Sequence, residues 1–425
     1  MFARLKTKFR GNKFLRNVLT LMTGTTIAQL ITFAIAPILT RLYTPEEMGL
    51  LALFLATASL VAIVATGRYE LAIMLPEEEE DAVNVVALSL LIAGGLSLLT
   101  LVVVVLFKTP LAGLLGDPNI AVWLLLIPLY VLFKGVYQTF NYWSNRRKQF
   151  KRLAISRVSL SSARGGANLG FGWGGSGAFG LIGGEVIGWG VAAFIFTWQV
   201  VRDDWHKAKL VSKQKIKQVA IEYQDFPKIN SLHAFMDTVQ MSGIAFLLVG
   251  FFGTAVLGGY SFTLRIIQAP LSLIGASVGQ VFYQRASETY NAGGDLYGLV
   301  KRTMLKLSYM SLPILLLTVL FAPDFFAWAF GPEWREAGVY AQILSPWIFL
   351  KFIVSPVSQV PIILKQQKLA FYLSTILNVG QLVLLYVMAT LVNDIYVNLI
   401  VLSGFASLFT IGYGWWILTL AKGRK

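Results

Sequence analysis

ISRVSLSSARGGANLGFGWGG, residues 155–175, has the length of a membrane span but carries two arginines. Helical spacing puts Arg157, Ser161, Arg164 and Asn168 at i, i+4, i+7 and i+11, so two guanidiniums, a hydroxyl and an amide share one face. Gly166, Gly170 and Gly174 fall on roughly the opposite face, and Gly180, Gly184 and Gly188 continue the small-residue spacing into the next span, where tight packing is expected. The pattern predicts a helix that packs a ridge of small residues against a neighbour and turns its polar stripe toward water. Its status decides the topology, because a chain that loses this span is inverted from residue 176 onward.

The composition agrees with a spanning role. Of the 425 residues 56% are hydrophobic and 13% charged, and the mean hydropathy of +0.66 is far above that of a water-soluble domain. The expected class is an all-α polytopic membrane protein. Cysteine is absent, which excludes disulfides, thiolate metal sites and a cysteine nucleophile. Two histidines, His206 and His233, are too few for a histidine-based metal site.

Working outward, apolar windows recur at 17–40, 48–66, 83–107, 120–143, 153–175, 177–201, 229–252, 255–280, 303–322, 336–362, 369–391 and 396–421, which predicts about twelve helices. Residues 1–201 form an N-terminal lobe of six, 202–228 a basic cytoplasmic linker, and 229–425 a C-terminal lobe of six. With both termini cytoplasmic, about 27 of the 36 Lys and Arg lie in cytoplasmic segments and about three (Arg41, Lys108, Arg335) outside. The net charge of +15 is therefore a topology signal, and no nucleic-acid partner is expected. The opening segment, with Phe2, Leu5 and Phe9 among Arg4, Lys6, Lys8 and Arg10, reads as a basic interfacial helix followed by an uncleaved first span. Ile216, Val219, Ala220 and Tyr223 share a helical face in the linker and predict a second interfacial helix.

Lys134, Arg157, Arg164, Arg265, Lys306 and Lys351 fall inside predicted spans, against only Glu185 and Asp237 of opposite sign. Six cations facing lipid would cost roughly 15–20 kcal/mol, so they must snorkel, pair or line a wet cavity. Arg157 and Lys306 lie near span ends and can snorkel. The deeper ones have polar company at helical spacing: Lys134 with Gln138, Arg265 with Gln268 and Ser272, Lys351 with Ser355. A net-positive interior calls for an anionic ligand, and the planar fork of arginine suits phosphate oxygens, such as those of a pyrophosphate headgroup. Arg164, Arg265, Lys134 and Lys351, with Arg157, Asn168 and Gln268, are the expected binding set. Asp237 and His233, four residues apart on one face, and Glu185 are candidates for a Na+ or H+ coupling site or for arginine counter-ions.

Four segments carry a resemblance: NVLTLMTGTTIAQLITFAIAPILTRLYTPEEMGLLALFL (17–55), TGRYELAIMLPEEEEDA (66–82), YQDFPKINSLHAF (223–235) and RIIQAPLSLIGASVGQVFYQRASE (265–288). In that order they resemble the Wzx-type oligosaccharide flippases, the polysaccharide-transport branch of the MOP superfamily that also holds the MATE exporters. The resemblance implies a MATE-like fold of two six-helix lobes in the bacterial inner membrane and no enzymatic activity. It further implies transport of polyprenyl-pyrophosphate-linked oligosaccharide between leaflets, with no bound cofactor and with membrane potential or an ion gradient as the drive. The expected partners are that substrate, membrane lipids and the polysaccharide polymerase machinery, and the expected state is a monomer. The same resemblance makes Arg68 and Glu70 a candidate gate, and Pro270 a bend beside Arg265. A MATE-like small-molecule exporter and a membrane glycosyltransferase, polymerase or ligase for the same carrier remain as other classes. The first is expected to have an acidic cavity, the second a substantial external loop.

Overall fold

The computed structural model describes residues 13–423. The basic segment around Phe2, Leu5 and Phe9, and the side chain of His233, lie outside the described residues. Among those described, all regular structure is helical.

The first unit, Met1–Phe246, contains α1 (Lys13–Leu42), α2 (Pro45–Ala62), α3 (Glu79–Leu114), α4 (Ile127–Arg146), α5 (Phe150–Trp173), α6 (Ala178–Asp204), α7 (Lys213–Glu222) and most of α8 (Ser231–Phe252). The second unit, Leu247–Lys425, contains the end of α8, then α9 (Thr254–Asn291), α10 (Leu296–Phe330), α11 (Arg335–Val354), α12 (Gln367–Leu391) and α13 (Ile395–Lys422). Each of the twelve predicted spans falls on a long helix. Among the described residues nine helices are long and apolar enough to cross a membrane, and two bent pairs bring the number to eleven. The twelfth is α5, long enough but not apolar enough to be counted with them. A hydrocarbon-facing surface is evident on α3, where Leu98, Leu99, Val102, Val105, Leu106 and Phe107 are all exposed.

Local chemistry explains the boundaries. The α1–α2 turn is closed by a capping box: Thr44 accepts from the Glu47 amide at 3.3 Å, Glu47 Oε2 accepts from the Thr44 amide at 2.9 Å, and Pro45 fills the first helical position. In the second unit, α9 bends by 44° between Ser272 and Ser277, just after Pro270, whose ring blocks the backbone bond of the preceding turn.

α5 packs along both α1 and α6, and it does so with the opposite polarity from that expected. A Cβ on Gly166 or Gly170 would meet nothing within 4 Å, so the expected ridge is an open surface. The tight glycines are Gly165 and Gly172, set against Ile35 and Leu42 of α1. On the α6 side the polar stripe itself is the packing face. A Cβ on Gly188 would lie 2.9 Å from the Arg164 Cβ and 3.3 Å from the Leu160 carbonyl, and Gly184 abuts the Asn168 amide. Gly180, Gly184 and Gly188 thus supply the expected close approach, but they close over polar residues. The reason is that an amide or guanidinium at this depth needs hydrogen-bonding partners, which a neighbouring helix can supply and lipid cannot.

The linker also differs from expectation. Val219 is fully buried, and Ile216, Ala220 and Tyr223 pack against Tyr69, Ala72, Ile73, Ala82 and Val85. The apolar face of α7 is thus satisfied by protein and not by a lipid surface. Asn84 fixes the segment, donating to Leu210 O at 2.9 Å and accepting from the Ser212 amide at 3.0 Å. Residues 202–228 accordingly belong to the first unit, and the contact boundary falls later, within α8, where Ser242 donates to Ala56 O at 2.8 Å.

The α5–α6 packing makes a direct prediction. Gly188→Leu should destabilise by about 1–3 kcal/mol, since its nearest neighbours include backbone that cannot yield, whereas Gly170→Leu should be close to neutral. Denaturation midpoints of the two purified variants check this, and equal losses would contradict the packing described.

Candidate functional site

Three helices of the first unit bring intramembrane charge together. Glu185, 6% exposed on α6, lies with Oε2 2.8 Å from Arg164 Nε of α5, whose side chain is 31% exposed. Trp189, one turn further along α6, donates from Nε1 to Glu185 Oε1 at 3.0 Å. Lys134 of α4 lies 3.3 Å from the Tyr130 hydroxyl, and its ammonium sits 5.2 Å from the Tyr130 ring centroid and 5.8 Å from that of Trp189. The cluster therefore holds two cations, one carboxylate and an aromatic wall, to which Tyr137 adds an edge-on contact with Trp189 at 5.1 Å. Lys134 has no carboxylate within ion-pair distance among the described residues, and cation–π contact substitutes for part of its lost hydration.

Arg157 and Asn168 do not join this cluster. Arg157 donates from Nη1 to Thr25 Oγ1 of α1 at 2.5 Å. Asn168 is buried; its amide nitrogen, turned toward α6, donates to Arg164 O and Gly180 O at 3.2 Å each, while Tyr43 donates to the Asn168 backbone carbonyl at 2.7 Å. Buried, it ties α5 to α6 and stands apart from the charged cluster.

The second unit holds a cavity of about 450 Å3 whose polar lining is Gln268, Ser272, Gln280, Lys351, Ser355 and Gln359. It brings Gln268 of α9 and Lys351 of α11 together. Arg265 is exposed and does not line it, so the expected quartet of Arg164, Arg265, Lys134 and Lys351 is not one site within either unit. Asp237 is exposed on α8, and its expected pairing with His233 falls outside the described side chains. Trp189 and Tyr130 escaped sequence reasoning although each stands four residues from a charge already singled out. Gln280 escaped because the bend in α9 breaks the helical spacing that links it to Gln268.

A family model described as "Polysaccharide biosynthesis protein" matches residues 38–339. The chain belongs to that family. No curated protein matches it significantly. Among solved structures, an inward-facing multidrug resistance MATE family transporter of the MOP superfamily aligns with a TM-score of 0.66 at 14% identity, covering 95% of this chain and 96% of that one. A MATE protein in complex with MaL6 aligns at 0.54 and 15% identity, covering 96% and 97%. A MOP superfamily transporter from Pyrococcus furiosus, described as having a binding pocket of reverse polarity that suggests a different function, aligns at 0.52 and 14%, covering 96% of each chain. At such identities the likeness is one of fold, and this polysaccharide biosynthesis family member has the MATE/MOP fold.

In the family member's 63–78 turn, Gly67 and Arg68 are both left-handed, with φ of 58° and 61°. The turn is held by Thr66 donating to Glu70 and by Arg68 Nη1, 3.5 Å from Glu70 Oε1. Tyr69 donates to Ala220 O of α7 at 2.8 Å. Arg68 and Glu70 thus pair within one turn and do not bridge two helices. Glu70 is only 1% exposed, and burial pushes its carboxyl up, against the opposing effects of Thr66 and Arg68.

Two predictions follow from these contacts. Glu185→Ala should cost about 1–3 kcal/mol by stranding Arg164, below the full penalty for a buried pair because Arg164 is partly solvated. The double variant Arg164→Gln/Glu185→Gln should recover most of that loss in denaturation measurements; a larger loss would mean that the pair is not the unit. For Glu70, the raised folded value gives stability that is full below the ordinary carboxylate range and lost as pH rises through the folded value. The Tm of wild type relative to Glu70→Gln should therefore decline as pH rises above the ordinary carboxylate range, and a flat difference would exclude a raised Glu70.

Proposed function

We propose that this protein is a flippase of the bacterial inner membrane that carries polyprenyl-pyrophosphate-linked oligosaccharide from the cytoplasmic to the periplasmic leaflet by alternating access. One observation carries the proposal: ionisable groups inside the spans are cationic in excess. Arg164 and Lys134 have Glu185 as their only nearby carboxylate, and Lys351 has none within ion-pair distance among the described residues. An interior of that sign is matched to an anionic headgroup and mismatched to a cationic drug. Family membership in polysaccharide biosynthesis and a transporter fold support the same reading.

In this mechanism Arg164 holds pyrophosphate oxygens, exchanging part of its contact with Glu185 for the substrate, and Lys134 adds a second positive charge. Glu185 keeps the empty site from carrying two uncompensated cations. The polyprenyl chain stays in lipid. An inside-negative potential favours outward movement of an anion by about 2.3 kcal/mol per charge per 100 mV, which supplies drive without a bound cofactor. The protein acts as a monomer that delivers substrate to the polymerase machinery on the far side. The exporter alternative has no observation in its favour beyond the shared fold.

The test is leaflet access in proteoliposomes that contain the protein and labelled polyprenyl-pyrophosphate oligosaccharide, probed with a membrane-impermeant glycosidase. Wild type should expose substrate from the inner leaflet, and Arg164→Gln/Glu185→Gln should slow exposure at least tenfold while retaining its fold. No exposure by wild type under an imposed potential or ion gradient overturns the flippase reading, and wild-type rates in the double variant remove Arg164 from it.

A further inference from the structure

The cavity of the second unit is chemically unlike the cluster around Arg164. Among its lining residues there is no arginine and no carboxylate; its charge is a single ammonium, Lys351, lying 5.6 Å from the Trp347 ring centroid. Among the described residues the side-chain amides of Gln268, Gln280 and Gln359 make no hydrogen bond to protein, nor do the Ser355 hydroxyl and the Tyr283 phenol. A volume of about 450 Å3 lies within the range of small-molecule sites, about 300–1,000 Å3.

Unused amides each offer two donors and an acceptor, which is the complement of adjacent sugar hydroxyls, themselves both donors and acceptors. Tyr283 and Phe352 provide flat apolar faces for the C–H side of a ring. A lone ammonium is a point charge without the fork that clamps a phosphate, and its single positive charge matches one carboxylate. In a membrane span, a cation without a protein carboxylate is stabilised by a ligand that brings one.

We propose that this cavity is a saccharide subsite that selects a carboxylate-bearing sugar of the transported glycan, with Lys351 reading the carboxylate and Gln268, Gln280 and Gln359 reading the hydroxyls. The proposal rests on the flippase reading and divides its labour: the pyrophosphate is held in the first unit by Arg164 and Lys134, and glycan identity is read in the second. Lys351 is then a specificity residue and not part of the headgroup site. The bend after Pro270 matters here because it presents Gln268 and Gln280, on either side of it, to one cavity.

The test is binding by the purified full-length protein in detergent, with no lipid carrier and no gradient, followed by titration calorimetry and by the fluorescence of the protein's tryptophans. The probes are trigalacturonate, maltotriose and inorganic pyrophosphate. Trigalacturonate should bind at least tenfold more tightly than maltotriose. Lys351→Gln should abolish that preference, Gln280→Ala should weaken both sugars, and Gly170→Leu, on an open surface of the first unit, should change neither, with thermal unfolding showing each variant folded. Equal binding of the two sugars, or binding of neither, overturns the proposal. Displacement of trigalacturonate by pyrophosphate in a Lys351-dependent manner overturns it in favour of a second headgroup site. Because no transport is measured, a failure here is separate from a failure of leaflet exposure in proteoliposomes.

Discussion

The contact between α5 and α6 governs the first unit. In hydrocarbon there is no hydrophobic force to press helices together, so association depends on dense packing and on satisfied polar groups. Glycines at 180, 184 and 188 of α6 let the backbones approach, and the space they leave is filled by Phe171, Asn168 and Arg164 of α5. Once Asn168 is locked to carbonyls of both helices, the position of Arg164 one turn earlier is fixed, and with it the ion pair to Glu185. Trp189 then orients the carboxylate and walls off Lys134. A span that is too polar for lipid is thereby made tenable by its neighbour, and its charge is left where a ligand can use it.

A second set of charges holds one end of the same unit. The acidic start of α3 meets basic residues from two other segments: Glu79 pairs with Arg147 at 2.8 Å and with Lys207, and Asp81 pairs with Lys215 at 3.0 Å. Arg152 is buried against Asp204 at 2.9 Å, which also accepts from the Trp143 indole at 3.1 Å and lies 3.9 Å from Arg147. The exposed pairs among these contribute little individually, but the buried one fixes the α5 entrance to the α6 exit. Basic residues that mark a topology in the sequence therefore also serve as specific partners.

The two units differ in how they treat polar groups within spans. In the first, Arg164 and Glu185 pair with each other and Lys134 stands against two aromatic rings. In the second, three amides line open space without a protein hydrogen bond among the described residues, beside an ammonium that has an indole but no carboxylate within ion-pair distance. The difference matches the proposed division between a headgroup site that must be stable when empty and a recognition site whose groups are held ready for a ligand's hydroxyls.

Sequence alone determined the class, the positions of all twelve long helices and the list of charges within them, because hydropathy and periodicity are local properties that each span carries by itself. It also marked α5 as the decisive span and Gly180, Gly184 and Gly188 as sites of close packing. The direction in which α5 faces was decided only by tertiary structure. Its polar stripe and its glycine ridge were equally good packing faces in isolation, and the choice fell to the stripe because α6 offered carbonyls, a carboxylate and the room left by three missing side chains. For the same reason the apolar face of α7 found protein rather than lipid, Asn168 became a structural bond, and Lys351 came to stand among three glutamines: which partner a polar group meets is set by long-range packing, and no spacing along the chain records it.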